Sequence, residues 1–385
     1  MPSKKILPLG VATKLGGAAN TQVPYEVIVV DNCSPDGSGL LVLGGTHGVR
    51  YVGNARNVGF GPAMNQAVAL ARAPSVCLLN PDTEVQPAWA PPLLARLNRP
   101  HAAAVTPLLL ERDGTTPQEA GGVIDGRGWS HAAGTPAWGD DASSAVARVV
   151  DYASAACLVV RRDAFDAVGG FDDRYRLAYF EDADLAFALA ATGRRMWFEP
   201  ASRVVHQRGG TDHHGAAIAL ATENHERFVA KWGAQLGARP PDITDERSRL
   251  VLRDGRAPAR IVVLDSGDAG GTHATVAAWR ETCPDAVLDV VTVVLPEAAR
   301  RPVAWPDDTH AEATWWRVAD LSAWLAVRRG HTDVLVTDGQ DAATASAVEA
   351  LAGDVTVVPS GAGADVRART LSGRPGRPGA RVPSA

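Results

Sequence analysis

Three carboxylates stand together in the stretch "YFEDADLAFALAATG", Tyr179 to Gly193: Glu181, Asp182 and Asp184. They follow two aromatic residues and open a run with helical spacing. Acids at a helix start satisfy free N–H groups and interact well with the helix dipole, so a purely structural role accounts for them. The chemical alternative is an aspartate that takes a proton from a substrate hydroxyl. Three further residues give the second reading weight. Asp31, Asp82 and His206 each close an apolar or β-branched run, in "YEVIVVDN", "SVCLLNPD" and "SRVVHQ". A carboxylate with a neighbouring histidine suits a divalent cation that takes oxygen and nitrogen ligands. A lone histidine at a strand end is more often structural, so the constellation counts for more than any one member.

These residues must be positioned by elements, and the sequence marks them. "YEVIVVDN" reads as a buried strand and "CSPDGSG" as a turn. "GVRYVGN" is a second strand, and "GPAMNQAVALARA" a helix with Pro62 in its first turn. "SVCLLNPDTEV", "AAAVTPLLL", "ACLVV", "RRMWFEP" and "SRVVHQ" read as strands, with helices at "PAWAPPLLARLNRP", after "CLVVRR" and at "TENHERFVAKWGAQLG". Alternation of this kind predicts an α/β fold: a Rossmann-type, mostly parallel sheet with helices on both faces. Ligands then bind outside the carboxyl ends of the strands, where Asp31 and Asp82 fall. Residues 111–147, rich in Gly, Asp, Trp and Ser, read as a long irregular excursion.

Past Pro240 the pattern restarts. "RIVVLDSGDAGG", "AVLDVVTVVLP", "TDVLVTDG" and "DVTVVPSG" predict a smaller C-terminal α/β domain of about four strands over residues 256–363. Residues 364–385, with arginine, glycine and proline, read as a disordered tail. Residues 25–240 form the first domain, and residues 1–24 an N-terminal segment of unclear pattern.

Composition excludes some classes. The net charge is −5 and no long basic run precedes the extreme C-terminus, which argues against nucleic acid as a partner. Cys33, Cys77, Cys157 and Cys283 are far apart and form no C-x-x-C pair, so they read as free thiols in a reducing compartment. Pro8 and Lys14 interrupt the short apolar run near the N-terminus, against a signal peptide. No stretch reaches the ~18 apolar residues of a membrane span. The expected location is cytoplasmic, with peripheral association at the inner membrane face left open.

The motifs "VIVVDNCSPDGS", "RNVGFGPAMNQA", "LLNPDTEV", "CLVVRRDAFDAVGGFDDRY", "YFEDADLAFALAATGRRMWFEP" and "VVHQRGGT" occur in that order. Together they resemble family 2 glycosyltransferases, the inverting enzymes of the GT-A fold, and within them a rhamnosyltransferase-like group that builds bacterial polysaccharides. The resemblance covers about residues 25–233. It implies a nucleotide-sugar donor, such as a rhamnose donor, a saccharide, lipid-linked or small-molecule acceptor, and Mg²⁺ or Mn²⁺. Asp31, Asn32, Arg56, Asn57 and Gly59 would line the nucleotide side of the cleft. Asp82 and His206 would hold the metal, Asp182 would be the general base, and Glu181 and Asp184 would support the acceptor or the base. Cys157 and Trp197 read as core. Trp129 and Trp138 read either as sugar-stacking or as packed residues, and His213 and His214 as a solvated loop.

Two departures accompany the resemblance. The metal motif is Asn80-Pro81-Asp82, with an amide where a second acid could stand. The family's opening strand, of the type "VSVVIVTYN", has only "ILPLGV" in its place, with proline inside the run, as in an atypical or truncated N-terminus. That strand would lie beside the Asp31 strand. Its loss favours an alternative reading, a non-catalytic relative that binds saccharide or a partner protein. Retention of Asp31, Asp82, Asp182 and His206 favours the enzyme. A nucleotidyltransferase would need a Gly-rich basic loop that this chain lacks.

Overall fold

The computed structural model describes residues 7–8, 23–37, 39, 48–135, 142–207 and 214–253, then 256–257, 259–265, 269–283, 285–293, 313–318, 321, 324–325, 332–337 and 355–372. They fall into two compact units: Met1–Thr135 with Val150–Pro241, and Pro136–Val149 with Asp242–Ala385.

In the first unit the period-2 alternation of a strand sorts side chains to two faces. Strand β2 (Val27–Asp31) is buried throughout. Ile28 and Val30 enter the main core, while Val27 and Val29 pack on Val49 and Tyr51 of strand β3 (Val49–Gly53). The two strands pair in parallel. Helix α1 (Phe60–Leu70) buries Phe60, Ala63, Met64, Ala67 and Val68, the spacing of one helical face. Truncating such a buried side chain costs about 2–5 kcal/mol.

The main sheet is built on strands β4 (Ser75–Leu79), β6 (Ala102–Leu110), β11 (Cys157–Arg161) and β12 (Arg195–His206). Strand β11 lies between β4 and β6, antiparallel to both. Strand β12 runs parallel to β6, with a register shift between Glu199 and Arg203. What reads in sequence as two strands, "RRMWFEP" and "SRVVHQ", is therefore one bent strand. Short β5 (Thr83–Val85) pairs antiparallel with the end of β12.

This mixed sheet corrects the mostly parallel one expected. A parallel neighbour requires a crossover, usually helical, that carries the chain back to the starting end. Between β6 and β11 stands the excursion of residues 111–156 instead, and the chain re-enters from the opposite end. Strands buried on both faces look alike in sequence whichever way they run. The excursion is also more regular than expected. It holds β7 (Pro117–Glu119), paired with β6, a hairpin of β8 (Gly122–Ile124) and β9 (Ser130–Ala132), and β10 (Arg148–Val150). At three residues each, these strands are too short to show a period. At the N-terminus a two-residue strand, β1 (Leu7–Pro8), pairs antiparallel with β4.

Helix α2 (Ala90–Leu97) packs on the sheet and α3 (Arg162–Ala167) follows β11. Helix α4 (Glu181–Ala191) and helix α5 (His214–Leu236) are joined by aromatic packing. Phe180, Ala183 and Phe187 meet Phe228, Trp232 and Leu236, each set at the spacing of one helical stripe. Cys77 and Cys157 are buried and free, and Trp197 is buried with Arg96 over its ring at 5.1 Å.

The second unit is where an all-parallel sheet forms. Strands β13 (Arg260–Leu264), β14 (Val287–Val293), β15 (Thr314–Val318), β16 (Val334–Val336) and β17 (Thr356–Val358) stack in the order β15-β14-β13-β16-β17. Every pair is parallel. The strand not expected is "TWWRV", whose two tryptophans hide the β-branched signal. Helix α6 (Glu246–Arg253) precedes this sheet, and helix α7 (Ala269–Thr282) crosses from β13 to β14 and buries Val276 and Trp279. Residues 364–372, expected as tail, form helix α8 (Ala364–Ser372), which packs on α7 with Arg367 Nε donating to Thr282 at 2.9 Å. Its apolar contacts come from the fold and could not be read from its Arg-rich composition.

Candidate active site

The three acids of the opening stretch part company at the start of α4. Asp184 is 2% exposed, and its carboxylate accepts from Tyr175 Oη at 3.0 Å, Trp232 Nε1 at 2.7 Å and Lys231 Nζ at 2.8 Å. Desolvation by burial, together with that carboxylate, pushes the Tyr175 hydroxyl far up. Asp184 thus anchors α5 to α4. Glu181 is buried as well, with its Cβ beside Gly61 of α1. Asp182 alone of the three is half-buried. The helix begins after Phe180 with no side-chain cap, and within the first turn Ala183 N donates to Asp182 Oδ1 at 2.9 Å. Asp182 lies in the first turn, where the helix dipole favours a negative charge.

The loop ahead of α4 is held in a costly shape. Leu177, Tyr179 and Phe180 all have positive φ, at 63°, 77° and 67°. For residues with side chains each such conformation costs about 1–3 kcal/mol, and surrounding structure must enforce it. Asn224 on α5 does so. Its Nδ2 lies 3.2, 2.8 and 3.1 Å from the carbonyls of Arg176, Ala178 and Tyr179. Arg227 Nη1 donates to the Asn224 Oδ1 at 2.6 Å, so the amide nitrogen faces the loop.

The expected nucleotide-side residues adjoin this loop. Gly59 has φ 99°, and a Cβ there would lie 3.1 Å from Leu177 N. Only glycine allows that approach, and Phe60 N donates to Leu177 O at 2.8 Å. Asn57 Oδ1 accepts from Gly59 N at 2.9 Å. Asn32 is a buried clamp: Nδ2 donates to Gly59 O at 2.9 Å and Oδ1 accepts from Asn54 Nδ2 at 2.8 Å. Its amide ties the end of β2 to Gly59 and Asn54. Asp31 accepts from Ser34 N and Tyr51 Oη, both at 3.0 Å, which leaves lone pairs for a further donor. The Tyr51 hydroxyl is pushed up by burial and by Asp31. Arg56 is exposed and makes no described hydrogen bond or ion pair.

Asp82 and His206 come together because β5 pairs with the end of β12, with His206 opposite Thr83. His206 Nε2 lies 3.4 Å from Asp82 Oδ1. On the other side of the ring, His206 Nδ1 is 2.7 Å from Gln118 Oε1. Gln118 Nε2 donates to Glu111 Oε2 at 3.0 Å and to His206 O at 2.9 Å, both acceptors, so the amide can stand only one way. Oε1 must therefore accept, Nδ1 must donate, and the Nε2 lone pair of a neutral ring faces the carboxylate. Two acceptors that close call for a proton on Nε2 or a cation shared between them. A carboxylate and an imidazole suit Mg²⁺ or Mn²⁺ brought with a diphosphate, since Mg²⁺ needs few protein ligands when phosphates complete its shell. Among the described residues no group of three or more His, Cys, Asp or Glu could hold a metal. Gln118, Asn224 and Tyr51 gave no sequence signal, because amides and a tyrosine reveal themselves only through partners distant in the chain. Trp129 is exposed; Trp138, His213 and the His214 side chain lie outside the described residues.

The family model "Glycosyl transferase family 2" matches residues 17–169. Within those bounds the chain carries a glycosyl transferase family 2 domain. The match takes in Asp31, Asn32, Arg56, Asn57, Gly59 and Asp82 and stops before Asp182 and His206. Among curated proteins the chain is 29% identical over 231 residues to the N-acetylglucosaminyl-diphospho-decaprenol L-rhamnosyltransferase of Mycobacterium tuberculosis, covering 54% of this chain and 75% of that protein. It is 30% identical over 205 residues to the O-antigen biosynthesis protein RfbC of Myxococcus xanthus, covering 50% of this chain and 16% of that one. Among solved structures, GalNAc-T7 with UDP, GalNAc and Mn²⁺ aligns at a TM-score of 0.43 and 18% identity, over 55% of this chain and 42% of that chain. Staphylococcus aureus TarS 1–349 with UDP-GlcNAc aligns at 0.39 and 14%, over 57% and 63%. The chain spans less than two thirds of either solved chain, and TM-scores this low do not define its fold. Among the described residues no helix is long and apolar enough to cross a membrane.

Proposed function

We propose that the first unit is an inverting, GT-A-type glycosyltransferase. It moves a sugar, rhamnose being the favoured candidate, from a nucleoside-diphosphate donor to a hydroxyl of a saccharide, lipid-linked or small-molecule acceptor. The 29% relative is named for an L-rhamnosyl transfer and a diphospho-decaprenol acceptor, and that name supports both choices. The observation that carries the reading is the division among the three acids: Glu181 and Asp184 are buried, and Asp182 is half-buried in the first turn of a helix.

In the reaction Asp182 takes the proton of the acceptor hydroxyl as that oxygen bonds to the anomeric carbon. The bond from that carbon to the diphosphate oxygen breaks, and its electron pair leaves with the nucleoside diphosphate. One displacement from the opposite face inverts the configuration. Asp82 and His206 would hold Mg²⁺ or Mn²⁺, which offsets charge on the departing diphosphate. Asp31 receives the nucleotide through its remaining lone pairs, and Gly59 lets backbone approach it closely.

Calorimetric titration of the full chain with a panel of nucleoside diphosphates, with and without Mn²⁺, tests this. One nucleotide should bind in a metal-dependent manner, and Asp82→Ala should weaken it. Asp182→Asn should bind it normally yet lose turnover by roughly 10²–10⁴-fold. Absence of binding at millimolar nucleotide would remove the transferase reading.

A further inference from the structure

One large aromatic side chain beside the acid helix is both exposed and held rigid. Trp129 sits at the tip between β8 and β9 and is 41% exposed. His225 of α5 stacks on its ring at 3.9 Å between centroids with 7° between planes, and Phe180 meets it edge-on at 6.1 Å. His225 is itself fixed, with Nε2 2.8 Å from Arg127 O. The tip is tied down from below. Asp125 Oδ1 accepts from Arg127 N and Trp129 N, both at 2.9 Å, and Asp125 Oδ2 lies 3.0 Å from His131 Nε2. Gly128, at φ 87°, lets the tip settle on α5, since a Cβ there would fall 2.8 Å from Val229.

One face of the indole is covered by His225 and much of the ring stays open. Phe180, which the indole touches, is the residue before Glu181 and stands two places from Asp182. Tyr179, 37% exposed, adds a second aromatic surface next in sequence to Phe180. A rigid flat apolar surface with no polar groups on its face suits a ligand that is flat, apolar on one side and hydroxylated around its edge. A pyranose ring has that form: its axial C–H bonds gather on one face, and its hydroxyls point outward. Because the ring is already immobilised, stacking costs little further ordering.

We propose that the open face of Trp129 is an acceptor subsite that stacks a pyranose ring and presents its hydroxyl towards Asp182. This deepens the transferase reading and rests on it for the role of Asp182. The stacking itself stands on the indole alone.

Saturation-transfer NMR on the full chain tests it, with methyl N-acetyl-β-D-glucosaminide, methyl α-L-rhamnoside and methyl β-D-galactoside as probes. At least one glycoside should receive saturation at its ring protons from aromatic protons of the protein. The effect should survive Trp129→Phe within about twofold and fall at least tenfold in Trp129→Ala. Metal-dependent nucleotide binding, measured alongside, should be the same in Trp129→Ala as in the parent chain, which shows the fold and donor side intact. Equal saturation in Trp129→Ala, or none for any glycoside in the parent chain, would overturn the subsite. Trp129-dependent glycoside binding by a chain that binds no nucleotide would keep the stacking surface and remove the transferase reading.

Discussion

At the residue scale, chemistry is assigned by what each polar atom already touches. Asp184 has three donors on its carboxylate, and Asn32 has both ends of its amide engaged inside the chain. Such groups hold neighbouring elements of the chain together. His206 shows the opposite case, a ring whose far nitrogen is aimed by a neighbour. Gln118→Leu removes the acceptor for the Nδ1 proton and frees the ring to rotate or change tautomer. Loss of such a support typically weakens metal affinity or activity by about 10–100-fold. We expect the Mn²⁺ concentration for half-maximal turnover to rise accordingly in this variant, with nucleotide affinity at saturating Mn²⁺ unchanged. An unaltered Mn²⁺ requirement would show that Gln118 does not orient the histidine.

At the element scale, α5 sets the shape of the loop that introduces α4. Three left-handed residues within four positions would relax if their carbonyls lost the Asn224 amide. Asn224→Asp keeps the shape of the side chain and removes its N–H donors. A misplacement of about 1 Å at a reacting group can cost roughly 10²-fold in rate. The expected result is a kcat lowered by that order while the Kd for the nucleotide stays near that of the parent chain. Equal losses in both would mean that the loop's shape also serves the nucleotide side, through Gly59 and Leu177.

At the scale of the whole molecule, each unit has its own apolar core. One gathers Ile28, Leu78, Leu158 and Phe198, and the other Ile261, Val290, Trp279 and Val336. All the candidate site residues lie in the first unit. Separate cores give separate cooperative transitions. Scanning calorimetry should show two unfolding steps. Nucleotide with Mn²⁺ at about 100 times its Kd should stabilise one step by about 2.7 kcal/mol and leave the other in place. A single step that shifts as a whole would show the two units to be one cooperative body.

The residues that close strands were legible in the sequence, because a β-branched run ended by Asp or His is a local pattern. Asp31, Asp82 and His206 were nominated that way and Asp182 by the acidic start of a helical run; most helices and both α/β regions were legible from their own periods. Strand direction was not legible, since a run buried on both faces carries no mark of which end the chain enters. The short strands of residues 117–132 and helix α8 were missed for want of enough residues to show a period or an apolar face. Only the tertiary structure separated the three adjacent acids. Their order along the chain was known, but which carboxylate goes inside depends on Tyr175, Lys231 and Trp232, and on α1, α4 and α5 meeting. Burial and pairing are properties of contacts between distant segments, so a sequence can nominate the acids while the packed fold decides which of them are buried.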